Sequence, residues 1–519
     1  MSARHLPPEL LLEVFGAGLG SADLARVCCA CQHFRDIAEP ILYTTVSLAS
    51  TVQLRSFIGA LRARPGRGDL ARALKVDWSK SLLEGTGLPE TPFLGFWRFH
   101  TRSAFADDGP DGGELSVLDG IDQEAKARGM AHGLRRGIQE QIAPALVVLL
   151  LDMLPNLRSL HVVPSTVEFW FWAAFPNPCH PDAPKRIPQG LQSLESLDVH
   201  YGSDNDDFAS LLNNGVGFAH IKLIVALLLP NLRRLSFSGD DGDDEVWENR
   251  YSEDWDDDNS HLDMARLAGR SGVTDLKLRG TEMLPEVLMP ILDMLRAPER
   301  VHLEQEDEAD FAPFDAFLAR PTLRSFALVE YPGDYLQREE DWEPLATLRT
   351  RDHLTHLALP VRALARDGED LARSVPRGVE HLDLAYASAA ELRDDADRLV
   401  KLVHALAEPG RRVQRLTVRP AVRDLHSGRV RAACAASGIA FYEEPWIEAP
   451  DMRVDPYGDS EYDDSDDMYE DEYDPDYDDF DAYGDVYMDD IDAFGEDDDD
   501  DDDDMDEDED EDETDEDDG

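Results

Sequence analysis

Apolar residues recur along this chain in two alternating rhythms. The first is a short signature, L-x-x-L-x-L with Leu, Val or Phe in the last place. It stands as LPNLRSLHV (154–162), LQSLESLDV (191–199) and LPNLRRLSF (229–237), and looser copies follow as VTDLKL, PERVHL, PTLRSFAL, DHLTHLAL, GVEHLDL and RRVQRLTV. The closing apolar residues are Val162, Val199, Phe237, Leu278, Leu303, Leu328, Leu359, Leu384 and Val418, at intervals of 37, 38, 41, 25, 25, 31, 25 and 34 residues. Alternation over so short a run predicts a half-buried strand. The second rhythm is helical. FAHIKLIVALLL, EVLMPILDML and AAELRDDADRLVKLVHALA lie between strand signatures and repeat their apolar residues with helical spacing.

A strand and a helix repeated in this way predict an α/β body whose apolar edges are buried only by stacking on neighbours. The intervals of 25 fall in the leucine-rich-repeat range, so residues 49–450 read as an irregular leucine-rich-repeat-like solenoid. LARALKV (70–76) reads as an earlier copy, residues of about 80–140 as an irregular Gly/Pro-rich insert, and RVRAACAAS followed by GIAFYEEPW as a closing helix and strand. A doubly wound sheet also alternates strand and helix, but no glycine-rich phosphate loop follows any strand signature.

Ahead of this body, LPPELLLEVF (6–15) is a dense apolar run. Pro7 and Pro8 suit a first helical turn, Glu9 suits the positive end of its dipole, and Leu10, Leu11, Val14 and Phe15 share a face. GAGLG stops that helix. Ser21 is placed to cap a second, on which Leu24, Val27, Cys28, Cys31 and Phe34 recur, and Glu39-Pro40 is expected to break it before the lead-out ILYTTVSL. So small a helical unit, residues 1–48, needs a partner or the next domain to cover its apolar surface.

Charge changes the picture at the other end. The net charge is −61, and residues 451–519 hold 41 of the 110 acidic residues with a single base, Arg453. Such a stretch repels itself and buries little, so it reads as a disordered tail. Seven tyrosines (457, 462, 469, 473, 477, 483 and 487) interleave with its acids, a pattern suited to a basic protein partner. The acidic balance argues against direct nucleic-acid binding. The apolar runs are too short to span a bilayer, and Arg4 and His5 are followed by prolines rather than by a signal-peptide core. An intracellular chain, in cytoplasm or nucleus, is expected.

Candidate chemistry is sparse. Cys28, Cys29, Cys31 and His33 in CCACQH lack zinc-ligand spacing, and Cys28 and Cys31 sit where small buried residues belong. No nucleophile–base, H-E-x-x-H or P-loop pattern is present, and the acidic run 239–258 does not match a calcium loop. A non-catalytic protein with no metal and no cofactor is expected.

Leu6, Pro7, Glu9, Leu10, Leu11, Val14 and Phe15, then Asp23 and Leu24, then Cys31, Phe34 and Arg35, follow the pattern of the F-box, which this segment resembles. EPILYTTVSL is similar to the segment that follows the box in fungal members, and a box ahead of a leucine-rich solenoid is a common architecture of the family. The resemblance implies a module docking on the Skp adaptor of a cullin–RING ubiquitin ligase, through Leu6, Pro7, Leu10, Leu11, Val14, Phe15, Leu24, Val27, Cys28, Cys31 and Phe34. The chain would then deliver a substrate to the ligase.

In x-L-x-L the leucines point inward and the alternate residues outward. Arg234, Lys277, Arg279, Arg300, Arg415 and Arg419 are thus candidate substrate-binding residues on the solenoid's open face, where they could also attract the tail. Two other readings stay open: a leucine-rich scaffold with no ligase link, and an acidic histone-chaperone-like protein acting through its tail.

Overall fold

A computed structural model describes residues 6–77, 112–139, 143–163, 169–172, 174–177, 186–200, 219–240, 264–281, 283, 285–305, 311–330, 344–366, 370–386, 396–420 and 428–443. Residues 451–519, and with them the tail and its tyrosines, lie outside these, as does the acidic run 241–258.

Three helices open the chain: α1 (Pro8–Gly18), α2 (Ser21–Ala30) and α3 (Gln32–Thr44). Pro7 is the N-cap of α1 and Pro8 its first residue, where a missing N–H costs nothing. Two local expectations are corrected. Ser21 does not cap α2; it is the helix's first residue, behind Gly20. Pro40 does not break the chain but lies inside α3, because the interruption falls earlier, at Cys31, whose extended backbone separates α2 from α3. An interior proline costs about 3 kcal/mol, set here against the burial of Ile37 and Ala38 on the same helix. Leu11, Phe15, Leu24, Ile37 and Ala38 form the core of this module, and the rings of Phe15 and Phe34 meet edge to face at 5.9 Å.

The body is a parallel sheet, with twelve strands among the described residues, each beside its neighbours in chain order. They are β1 (Thr45–Leu48), β2 (Ala73–Asp77), β3 (Ser159–Val163), β4 (Ser196–His200), β5 (Arg234–Asp240), β6 (Asp275–Thr281), β7 (Arg300–Gln305), β8 (Ser325–Glu330), β9 (His356–Pro360), β10 (His381–Tyr386), β11 (Arg415–Pro420) and β12 (Ala440–Glu443). The periodic apolar residues are register partners: Val162 with Val199, Val199 with Phe237, Phe237 with Leu278, Leu278 with Leu303, Leu303 with Leu328, Leu359 with Leu384 and Leu384 with Val418. Unequal intervals in sequence are therefore equal steps in space. The connections absorb the difference.

One hydrogen-bond pattern repeats at each step from β2 to β11. The carbonyl of Arg72 accepts from the N–H groups of Arg158 and Ser159, that of Arg158 from Glu195 and Ser196, and that of Glu195 from Arg233 and Arg234. The fork recurs through Thr274, Glu299, Arg324, Thr355 and Glu380. It satisfies the backbone where each strand enters the sheet and holds the register of the alternating leucines.

The inward leucines pack with the helices in one continuous core. Those helices include α4 (Thr51–Ala63), α5 (Gly112–Ala127), α6 (His132–Gln139), α7 (Ala143–Asp152), α8 (Ala219–Leu227), α9 (Pro285–Asp293), α10 (Ala396–Leu406) and α11 (Gly428–Ser437). The insert read as irregular is in part helical: Ile121 and Ala125 of α5, one turn apart, and Ile138 of α6 are buried in that core. Residues 78–111 of it lie outside the described residues.

The lead-out TVSL is itself the first strand. α3 runs into β1 with no residue between them, so the helical module is joined to the sheet without a linker. The Arg72 N–H donates to the carbonyl of Thr44, Arg67 pairs with Glu39 of α3, and the Arg67 guanidinium lies 5.0 Å from the centre of the Tyr43 ring.

Candidate functional site

Two surfaces carry functional interest, one on α1 and one on the sheet. On α1 the residues point in nearly every direction, since Leu10, Leu11 and Leu12 are consecutive and about 100° apart around the helix. Leu11 and Phe15 turn into the module's own core, whereas Leu6, Leu10, Leu12 and Val14 are 39, 47, 47 and 56 % exposed. Val14 lies one turn beyond Leu10, so the pair forms an apolar edge. Exposed large apolar residues concentrated on one short helix mark a contact surface rather than ordinary scatter.

The residues expected to dock thus divide. Leu6, Pro7, Leu10 and Val14 are exposed; Leu11, Phe15 and Leu24 are buried inside the module; Val27, Cys28, Cys31 and Phe34 are half-buried. Leu12 was not among them, and its exposure follows from a third consecutive leucine that one buried face cannot accommodate. Arg35 locks the module's other side by donating from Nε to the carbonyl of Cys28 at 3.0 Å.

On the sheet, the residues alternating with the core leucines form the outward face. The six candidate bases fall in two groups. Arg234, Lys277, Arg279 and Arg300 lie on β5–β7, and Arg415 and Arg419 on β11. Arg300 pairs with Asp275 at 2.7 Å and Arg279 with Glu304 at 3.5 Å, while His302 also reaches Glu304. The Arg415 guanidinium lies 4.3 Å from the centre of the Tyr442 ring and its Nε donates to Thr417 at 3.1 Å. Arg419 Nη2 reaches Asp383 Oδ2 at 3.4 Å. Four of the six are thus engaged within the sheet, and the face is mixed in charge rather than a positive field.

Between the two groups several outward positions are small and apolar, with Ala327 and Val329 on β8, Ala358 on β9 and Ala385 on β10 all buried, while His356 and His381 lie on the same face. Asp383 on β10 stands among them, pairing in register with Ala358 and Thr417 and only 5 % exposed. Burial pushes its carboxyl upward, but hydrogen bonds from His356 and Thr417 and the charges of His356 and Arg419 outweigh this and hold its pKa below the ordinary value. Alternation alone placed Asp383 outward; it gave no sign that the side chain would be enclosed.

Among the described residues, no group of three or more His, Cys, Asp or Glu side chains could hold a metal ion. Cys28 and Cys31 of the CCACQH run instead flank the module's helices as free, half-buried thiols. No helix among the described residues is long and apolar enough to cross a membrane.

Residues 3–49, the segment that contains α1–α3 and β1, match the F-box-like family model. No curated protein matches the chain.

Proposed function

We propose that this chain is the substrate-receptor subunit of a Skp–cullin–F-box ubiquitin ligase. Helices α1–α3 dock on the Skp adaptor, and the outward face of the sheet receives the protein substrate. The observation that carries the reading is the exposed apolar edge of Leu10 and Val14 on α1, with Leu6 exposed just ahead of the helix and Leu12 exposed on another face of it, in the segment that matches the F-box-like family. A small module with its own filled core has no structural use for four exposed leucine-class side chains. An adaptor interface does.

The body is read as a leucine-rich-repeat-like solenoid. Its sequential strand order, the leucines in register and the repeated carbonyl fork support this, because each unit is completed only by the next. The chain supplies no chemistry in this scheme. It raises the local concentration of substrate beside the ligase, and the direct passage of α3 into β1 fixes the distance between the adaptor and the recognition face. The setting is cytoplasm or nucleus, and a basic protein is the proposed partner of residues 451–519.

Co-purification of the full chain with the Skp adaptor tests the proposal. Recovery of a stoichiometric complex is expected, and a purified chain that ignores the adaptor would reduce the reading to a scaffold.

A further inference from the structure

Of the six outward bases, Arg234 and Lys277 differ from the rest. Three carboxylates on the same face of β4–β7 are each held by a base on a neighbouring strand: Asp198 by His161 at 2.8 Å, Asp275 by Arg300 at 2.7 Å and Glu304 by Arg279 at 3.5 Å. Among the described residues no carboxylate pairs with the side chain of Arg234 or Lys277. Both can be reached from solvent, since Arg234 is exposed and Lys277 half-buried. Their strand neighbours Leu235, Leu276 and Leu278 face the core, so the two bases point to the opposite, outward face. A half-buried ammonium without a counter-charge has given up hydration with nothing in exchange. In a chain of net charge −61, two such cations side by side are a local exception, and what they lack is negative charge.

We propose that Arg234 and Lys277 bind an extended acidic segment of the substrate protein, Asp/Glu-x-Asp/Glu, each base taking one of two carboxylates on alternate residues. The spacing follows from the register. Ser236, two residues beyond Arg234 on β5, is the register partner of Lys277 on β6, so the two bases are diagonal neighbours. One strand step and two residues along the strand put their Cα atoms roughly 8 Å apart. Alternate side chains of an extended peptide lie on one side about 7 Å apart, and the long arms of Arg and Lys cover the difference. Ser236 between them is small and does not obstruct a main chain that crosses there. The distribution of charge selects two carboxylates over one phosphoryl group, which concentrates nearly two negative charges at a point. The space between the bases is bordered by Asp275, the register partner of Arg234, and by Asp198, the register partner of Ser236, and both oppose such a concentration. Two single charges, each against its own base, are opposed less.

The site rests on the receptor reading, and two separate readouts on the full chain keep them apart: retention of the adaptor, and retention on immobilised Gly/Ser peptides. The peptides carry Glu-Ser-Glu, Glu-Glu, a single Glu, phosphoserine or Lys-Ser-Lys. Glu-Glu bears the same charge as Glu-Ser-Glu but sends its carboxylates to opposite sides of an extended chain. Retention of Glu-Ser-Glu at least fivefold above each of the others is expected, and strongest at low salt, because exposed charges are screened. Arg234→Glu and Lys277→Glu should each abolish the preference, and Lys277→Gln should reduce it to the level of the single Glu. Arg429→Glu makes the same change of charge at an exposed position on α11 and should leave the preference intact. Equal retention of Glu-Ser-Glu and Glu-Glu, stronger retention of phosphoserine, or a preference that survives in both Lys277 variants would overturn the site. Failure of the wild-type chain to hold the adaptor would overturn the receptor reading instead, while the peptide readout still decides the site.

Discussion

Leu10 and Leu11 are neighbours on α1, yet Leu10 is 47 % exposed and Leu11 is 2 % exposed. Leu11 belongs to a core of only a few side chains, so each is a large share of the module's stability. Leu11→Ala should cost about 2–5 kcal/mol, and Leu10→Ala should stay within about 0.5 kcal/mol. Hydrogen exchange over residues 8–44 would show this as lost protection in the first variant alone.

Close backbone packing between successive units makes a second prediction. A Cβ on Gly378 would lie 1.9 Å from the carbonyl oxygen of Asp352, a backbone atom with no room to retreat. Gly59, inside α4, has nothing within 4 Å of the same position. Gly378→Ala should therefore destabilise by more than about 2 kcal/mol. Gly59→Ala should stabilise by up to about 1 kcal/mol, through helix propensity alone. Urea denaturation of the two variants should give midpoints on opposite sides of the wild type.

Acid should weaken the sheet in two stages. Burial lowers the pKa of His353 below its ordinary 6.5, so its neutral form is favoured when folded and that contribution is lost as pH falls below 6.5. Asp383 is also depressed, below 3.8, so its contribution persists to lower pH and is lost only as pH falls beneath that ordinary value. Thermal melts between pH 8 and 3 should show the earlier stage flattened in His353→Gln and the later one in Asp383→Asn. Parallel curves for wild type and both variants would contradict the assignment.

Cys434 is fully buried on α11, and burial pushes its thiol up to about 11. At pH 8 only about one molecule in a thousand carries the thiolate. Thiol labelling read by mass spectrometry should modify exposed Cys29 promptly and reach Cys434 only after unfolding.

Much of the strand framework was legible because its signal is local. Leu276 and Leu278, or Leu382 and Leu384, alternate with polar residues whatever the length of the preceding connection. The helical insert was not legible, since Gly/Pro content around 80–140 masked the one-turn spacing of Ile121 and Ala125. At the N-terminus, a wide apolar face on α1 was visible, but its division between core and surface was not. Leu11 and Leu10 look alike in sequence, and only the approach of Ile37, Ala38 and Phe34 from α3 decides which is covered. Asp383 marks the same limit on the sheet. Its outward direction follows from alternation, whereas its enclosure depends on Ala358, Thr417 and Arg419, brought beside it from other strands.

The most direct measurement is the affinity of the purified full chain for the Skp adaptor, compared with that of a Leu10→Asp, Val14→Asp double variant. Both positions are exposed, so the melting temperature should not change, while two charges placed in an apolar contact should weaken binding by roughly a hundredfold or more. An equally stable double variant that binds the adaptor as tightly as the wild type would contradict the docking surface assigned to α1, and with it the account of this chain as a ligase receptor.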